Sequence, residues 1–234
     1  MVRLIGIDVD GTLLDSHGQL PDANRRAIEA AVARGIHIAI VTGRSFFFAL
    51  PAVTALPEPL TLVVHNGAIV RRRTGETLRR RLMPADVARA VLAATGAWRD
   101  SAVVIFDRPL AGQMVFDRLD WSHPNRSRFR ERNLAIIEQV TSLEEALTED
   151  PIQVAYNGEV APMRELLETL ARHPDSAALG VSLTEYVHRD FSLVDVCAPA
   201  TTKATGLAAL AEQLGVPQAD VMAIGDNFND RDML

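Results

Sequence analysis

The sequence is poor in cysteine, in clustered histidine, in long apolar runs and in positive charge. Cys197 is the only cysteine among 234 residues, so one chain can build neither a disulfide framework nor a four-cysteine zinc site. It follows an apolar run, and a small buried hydrophobe is expected there rather than a reactive thiol. The six histidines show no metal-ligand spacing. No apolar run approaches the ~20 residues that a membrane span needs. Met1 to Leu14 is apolar but carries Asp8 and Asp10 and no small-residue cleavage site, so a signal peptide is not expected. Lys and Arg total 24 against 30 acidic residues, a net charge of -6 whose field repels nucleic acid and anionic membrane alike. The arginine runs 71–73 and 79–81 have no aromatic residue between them, which favours a solvated hairpin over an RNA-binding ribbon. There is no internal repeat and no low-complexity segment. The expectation is a soluble, cytoplasmic protein that acts on small molecules.

The composition is ordinary for a globular chain, with 48% hydrophobic and 23% charged residues. Four short apolar runs each end in a polar or glycine-rich turn. Val2 to Val9 runs into Asp8-Val9-Asp10-Gly11-Thr12, and Ile36 to Val41 into Thr42-Gly43-Arg44. Leu60 to Val64 runs into His65-Asn66-Gly67, and Val221 to Ile224 into Gly225-Asp226. Such runs, without strict alternation, suit strands buried on both faces. Helical patterns separate them: Pro21 to Arg34, stopped by Gly35, and Ala204 to Leu214, stopped by Gly215. This alternation predicts an α/β fold, a Rossmann-like parallel sheet with helices on both faces. Ligands of such sheets bind at the carboxyl ends of the strands, where all four turns lie.

The middle of the chain has a different pattern. A hairpin is expected over 68–83 around Thr74-Gly75-Glu76, then a helix over 85–95 and strands near 102–106, 113–116 and 152–156. A helix over 161–171 and strands near 181–186 and 192–196 follow. The stretch around Ser122 to Arg132 is polar. We expect residues 82–190 to form an inserted α+β domain, with 1–81 and 191–234 forming a discontinuous core.

The turns carry the chemistry. A carboxylate at a strand end, such as Asp8, can attack phosphorus and be released again by water. A second carboxyl group, for which Asp10 is placed, would protonate the leaving oxygen and then activate water. A metal would screen the carboxylates from the phosphate charge, and hard oxygen ligands favour Mg2+. Thr42 offers a hydroxyl and Lys203 a point charge to phosphoryl oxygens. Asp226 is the better candidate for a metal ligand, with Asp230 supporting Lys203 or water from behind. Phe46, Phe47 and Phe48 are expected to pack rather than to stack on substrate. Asn66 suits a left-handed turn as well as a substrate contact.

Asp8-Val9-Asp10-Gly11-Thr12-Leu13-Leu14, Val41-Thr42-Gly43-Arg44, Lys203 and Gly225-Asp226-Asn227-Phe228-Asn229-Asp230 resemble, in order, the four motifs of the haloacid-dehalogenase-like hydrolases. Asn66-Gly67-Ala68 and the long insertion resemble the Cof-type, class IIB branch, whose members place a mobile cap there. The resemblance implies that Asp8 is the nucleophile and Asp10 the acid/base. It implies Mg2+ on Asp8, Asp226 and the Asp10 carbonyl. It implies a phosphoryl cradle of Thr42, Gly43, Lys203 and Asn229, Asp230 in support, and Arg44 and Asn66 on the substrate side. The expected activity is hydrolysis of sugar phosphates or similar small metabolites. A phosphomutase, or a non-catalytic relative that binds phosphate ligands, has the same motifs. Members of that family continue with a further strand and helix beyond the last motif. Here the sequence ends at Leu234, so Val221 to Ile224, expected as a central strand, should show an open edge.

Overall fold

A computed structural model describes residues 1–234, the side chains of Arg132 and Phe228 excepted. In chain order the elements begin with β1 (Leu4–Ile7), α1 (Asp22–Val32), β2 (His37–Val41), α2 (Phe46–Val53), β3 (Leu60–Val64), β4 (Ile69–Arg72) and β5 (Thr77–Arg80). Then come α3 (Ala85–Ala94), β6 (Ala102–Ile105), β7 (Met114–Phe116), α4 (Pro124–Asn133), β8 (Ile137–Gln139) and α5 (Leu143–Ala146). They continue with β9 (Gln153–Gly158), α6 (Val160–Ala171), β10 (Gly180–Tyr186), β11 (Phe191–Cys197), α7 (Lys203–Gln213) and β12 (Val221–Ile224). The chain divides into two compact units, Met1–Arg81 with Ala200–Leu234, and Leu82–Pro199.

The first unit is a six-stranded sheet in the order β12-β1-β2-β3-β4-β5. Its first four strands are parallel, and the β4–β5 hairpin closes the other end antiparallel. Both faces of the parallel part are covered, which is why the apolar runs do not alternate. On one face Leu207, Leu210 and Ala211 of α7 pack on Leu4, Ala39, Val41 and Val63. The residues between them, Ile38, Ile40 and Leu62, are also fully buried. The buried Ile28 of α1 and the buried Phe46, Ala49 and Val53 of α2 lie on helices that touch β2 and β3. Each buried Leu or Ile contributes about 1.5–3 kcal/mol. β12 is the edge strand, with Met222 and Ile224 exposed, rather than a central one.

Glycines on α7 and on the sheet beneath it leave no room for a side chain between them. A methyl group on Gly6 would come within 2.6 Å of Leu207 Cδ2, and one on Gly206 within 2.5 Å of Val63 Cγ1 and 2.7 Å of Gly67 Cα. Gly67 has φ +98°, and a Cβ there would lie 2.0 Å from the Thr202 carbonyl oxygen. The Asn66-Gly67 turn thus seats the first turn of α7, and that turn begins with Lys203.

The arginines of the hairpin are more internal than a solvated ribbon requires. Arg71 is buried, donates to Thr77 Oγ1 at 2.9 Å, and lies 5.1 Å over the Phe46 ring. Arg73 donates to the Leu56 carbonyl at 2.6 Å and pairs with Glu58, while Arg79 donates to the Thr205 carbonyl at 3.1 Å.

The second unit is a six-stranded sheet ordered β10-β11-β9-β6-β7-β8, antiparallel except for the β7–β8 pair. One face packs on α3 and α6 through Val91, Leu92, Met163, Leu166 and Leu170. Inside it the Tyr156 and Thr95 hydroxyls lie 2.6 Å apart, so the buried phenol keeps a partner. Residues 191–199, expected in the core, belong here instead. β11 pairs with β10 along its whole length and with β9 from Ser192 to Cys197, so the chain returns to the first unit only at Ala200. The polar stretch 122–132 is largely the helix α4. His123 caps it by accepting from the Asn125 N–H, and Pro124 opens it. In place of an apolar stripe it has Arg126, buried, which donates to Asn157 Oδ1 at 2.6 Å, the Asp120 carbonyl at 2.8 Å and Ser101 Oγ at 2.9 Å.

Candidate active site

The carboxyl ends of β1, β2 and β12 and the start of α7 bring most of the sequence-predicted residues together. Asp8 follows β1 directly and is buried. Lys203, equally buried, donates from Nζ to Asp8 Oδ1 at 2.6 Å and to Asp230 Oδ1 at 2.7 Å. Burial pushes the Asp8 carboxyl above its ordinary value, and the hydrogen bond from Lys203 opposes that push. The ammonium itself is held by local structure. Thr202 caps α7 by accepting from the Thr205 N–H at 3.2 Å, while Thr205 Oγ1 accepts from the Thr202 N–H at 3.1 Å.

Asp230 does two jobs at once. Its Oδ1 accepts from Lys203, and its Oδ2 accepts from the backbone N–H groups of Asp226 and Asn227 at 3.2 and 3.0 Å. It thereby shapes the turn after β12. Gly225 is required there, since a methyl group would meet Asp230 Cγ at 2.5 Å. Asp226 is exposed, and its Oδ1 accepts from Thr12 Oγ1 at 3.0 Å. Gly11 adopts φ +90° beneath it, and a Cβ at that position would come within 2.4 Å of Asp226 Oδ2. Thr12 therefore orients Asp226, a contact that residue spacing alone did not indicate.

Asp8, Asp226 and Asp230 each present a carboxylate oxygen within 4.8 Å of the others. An all-carboxylate donor set of this kind fits a hard divalent cation such as Mg2+. The fit includes Asp230, which the sequence placed behind the ligands.

Asp10 and Asp8 do not share an environment. Asp10 is exposed, and Arg44 grips its carboxylate with Nη2 to Oδ1 at 2.5 Å and Nε to Oδ2 at 2.9 Å. Arg44 is thus engaged by Asp10 in this structure. Thr42 is buried at the end of β2, and its Oγ1 accepts from the Arg44 N–H at 3.1 Å. Gly43 is exposed, and a methyl group on it would come 3.0 Å from Asn66 Oδ1. Asn66 has φ 51°, donates its N–H to the Thr42 carbonyl at 3.0 Å, and buries Oδ1 without a hydrogen-bond partner. It sits against the Thr42-Gly43 loop. Asn229 is exposed in the one-turn helix Phe228–Asp230. Cys197 is buried, as the sequence suggested.

The family model of haloacid dehalogenase-like hydrolases matches residues 5–234. The chain is 29% identical to the HMP-PP phosphatase of Cronobacter sakazakii, covering all of this chain and 81% of that protein. It is 25% identical to the 5-amino-6-(5-phospho-D-ribitylamino)uracil phosphatase of Bacillus subtilis, covering all of this chain and 80% of that one. Among solved structures, a subclass IIB sugar phosphatase of the same superfamily superposes with a TM-score of 0.76 at 21% identity, covering all of this chain and 84% of the other, a likeness that shows the fold. The chain is an enzyme of the haloacid dehalogenase-like hydrolase family.

Proposed function

We propose that the protein is a phosphatase that hydrolyses small phosphate monoesters through an aspartyl-phosphate on Asp8. The observation that carries this reading is the buried Asp8 carboxylate, fixed at 2.6 Å from Lys203 Nζ at the end of a parallel strand. A surface salt bridge has no need of such burial. A nucleophile that must meet a phosphoryl dianion does, because burial keeps competing water away and Lys203 offsets the repulsion. Thr42 Oγ1 accepts from Arg44 N–H, so its hydroxyl proton is left for a phosphoryl oxygen. Lys203, Thr42, the Gly43 N–H and Asn229 then form the phosphoryl cradle.

Asp10 is assigned as the acid that protonates the leaving oxygen and the base that later takes a proton from water. Its exposure keeps it in reach of the leaving group, and Arg44 sets its orientation. Of the three clustered carboxylates, Asp8 and Asp226 are assigned to Mg2+, together with the Asp10 carbonyl, while Asp230, whose two oxygens are taken by Lys203 and by backbone N–H groups, holds Lys203 and the turn that carries Asp226. When bound, the ion would screen phosphate charge from the carboxylates. Residues 82–199 are assigned the substrate-selecting role of a cap. Among the described residues no helix is long and apolar enough to cross a membrane. Two relatives named as phosphatases of small phosphorylated compounds support the reaction class. Phosphate release from p-nitrophenyl phosphate is the test. It should require Mg2+, disappear with a chelator and return on adding the ion back. Release that persists undiminished in chelator contradicts the metal assignment.

A further inference from the structure

Resting on the phosphatase reading above, we propose that Phe47 and Phe48 form an aromatic shelf that selects phosphate esters whose leaving group carries a flat aromatic ring. The three phenylalanines that open α2 do not share one fate. Phe46 is 5% exposed and packs under the Arg71 guanidinium, whereas Phe47 is 36% and Phe48 41% exposed. The helix reads FFFALPAV, without one polar side chain. A surface helix normally turns polar residues to water, and here the two exposed positions of the first turn hold aromatic rings instead.

The position of these rings links them to the reaction. Arg44 Nη1 donates to the Phe48 carbonyl at 3.4 Å, while Nη2 and Nε of the same guanidinium hold the Asp10 carboxylate. One planar group therefore ties the residue assigned to protonate the leaving oxygen to the first turn of α2. On this proposal a leaving group served by Asp10 emerges beside that turn. The Phe47 ring is fixed edge-on to Phe46, with centroids 5.3 Å apart and planes at 89°. An aromatic leaving group gains a ring contact on this shelf. A sugar ring gains no partner for its hydroxyl groups from any side chain of α2, and unpaired hydroxyls lose affinity.

Benzyl phosphate and cyclohexylmethyl phosphate share the linkage and nearly the bulk, and differ in aromaticity. The wild-type kcat/KM should favour the benzyl ester by about threefold to tenfold, the range of an aromatic pair. Phe47→Leu and Phe48→Leu should each shrink that ratio toward one, and Phe48→Tyr should retain it. Circular dichroism verifies folding, and ethyl phosphate, an ester without a ring, is the reference substrate. A wild-type ratio near one, or a ratio unchanged in both leucine variants, overturns the shelf while leaving the phosphatase reading in place. Absence of phosphate release from all three esters overturns both.

Discussion

Replacing Gly206 by alanine sets helix propensity against packing. In an open helix this change stabilises by about 0.5–1 kcal/mol, because glycine loses more backbone freedom on folding. Here the new methyl group would stand 2.5 Å from Val63 Cγ1 and 2.7 Å from Gly67 Cα. Ordinary carbon contacts lie at about 3.5–4.0 Å, so α7 must withdraw by roughly 1 Å. Two of the facing atoms, Gly67 Cα and its carbonyl oxygen, are backbone and cannot turn aside. Overpacking of this kind costs about 1–3 kcal/mol, which offsets the propensity gain and leaves a net loss of up to about 2.5 kcal/mol. For a chain of this size that lowers Tm by ~2–4 °C per kcal/mol. The kinetic effect should be larger. Lys203 lies one turn earlier on α7, and its bonds of 2.6 and 2.7 Å to Asp8 and Asp230 do not survive such a shift. Misplacing a reacting group by 1 Å can cost ~100-fold. The assay is a thermal melt together with kcat/KM on p-nitrophenyl phosphate. Ala208→Gly, at an exposed position of the same helix, serves as the control; it should lose about 1 kcal/mol to propensity and keep wild-type kinetics. A Gly206→Ala protein that melts higher than wild type and turns over normally would refute the close approach of α7.

Further perturbations separate the roles of individual groups. Asp10→Asn should slow turnover by ~10²–10⁴-fold on esters with poor leaving groups and much less on those with good ones; equal losses across a leaving-group series would contradict the acid role. Thr202→Ala removes the capping box of α7 and should cost about 1 kcal/mol, with a fall in kcat/KM because Lys203 is the next residue, whereas Thr202→Ser should restore both; a melt identical to wild type counts against the cap. In the second unit, burial pushes the Asp195 carboxyl up to about 6, opposed by a hydrogen bond from Gln153 Nε2 at 2.7 Å. The unfolded carboxyl, near 3.8, releases its proton first, so stability falls as pH rises from about 4 through 6 and stays lower above that. Asp195→Asn should therefore raise Tm at pH 8, by the equivalent of ~1–3 kcal/mol, and change it little at pH 4; a shift independent of pH would argue against that titration.

The residues of the candidate site stand out in the sequence because each lies in a local pattern. Asp8, Thr42 and Asp226 each sit where an apolar run meets a polar turn, and Lys203 opens a helix that stops before Gly215. What spacing could not supply was pairing across the chain. Arg44 on Asp10, Thr12 on Asp226 and Asp230 on two backbone N–H groups are contacts between turns, visible only once the strands are ordered. The same holds for Gly67 and Gly206, which are 139 positions apart and matter because their backbones touch. In the second unit α4 escaped detection because a buried arginine, not an apolar stripe, anchors it. β8 and α5 span three and four residues, too short for any periodicity to register. The boundary at Ala200 was misplaced because β11 is apolar enough to belong to either sheet, and only its partners decide.

The central claim is that Asp8 carries the phosphoryl group. Rapid acid quench of the Asp10→Asn protein with p-nitrophenyl phosphate and Mg2+, followed by peptide mass analysis, reads this directly. A good leaving group lets the first step proceed, and the loss of the base slows the second. The account predicts one phosphoryl group on the peptide that contains Asp8, and none in an Asp8→Asn protein, whose turnover should fall by orders of magnitude. A peptide that stays unmodified while phosphate is released, or an Asp8→Asn protein that keeps more than about one percent of wild-type turnover, would contradict it.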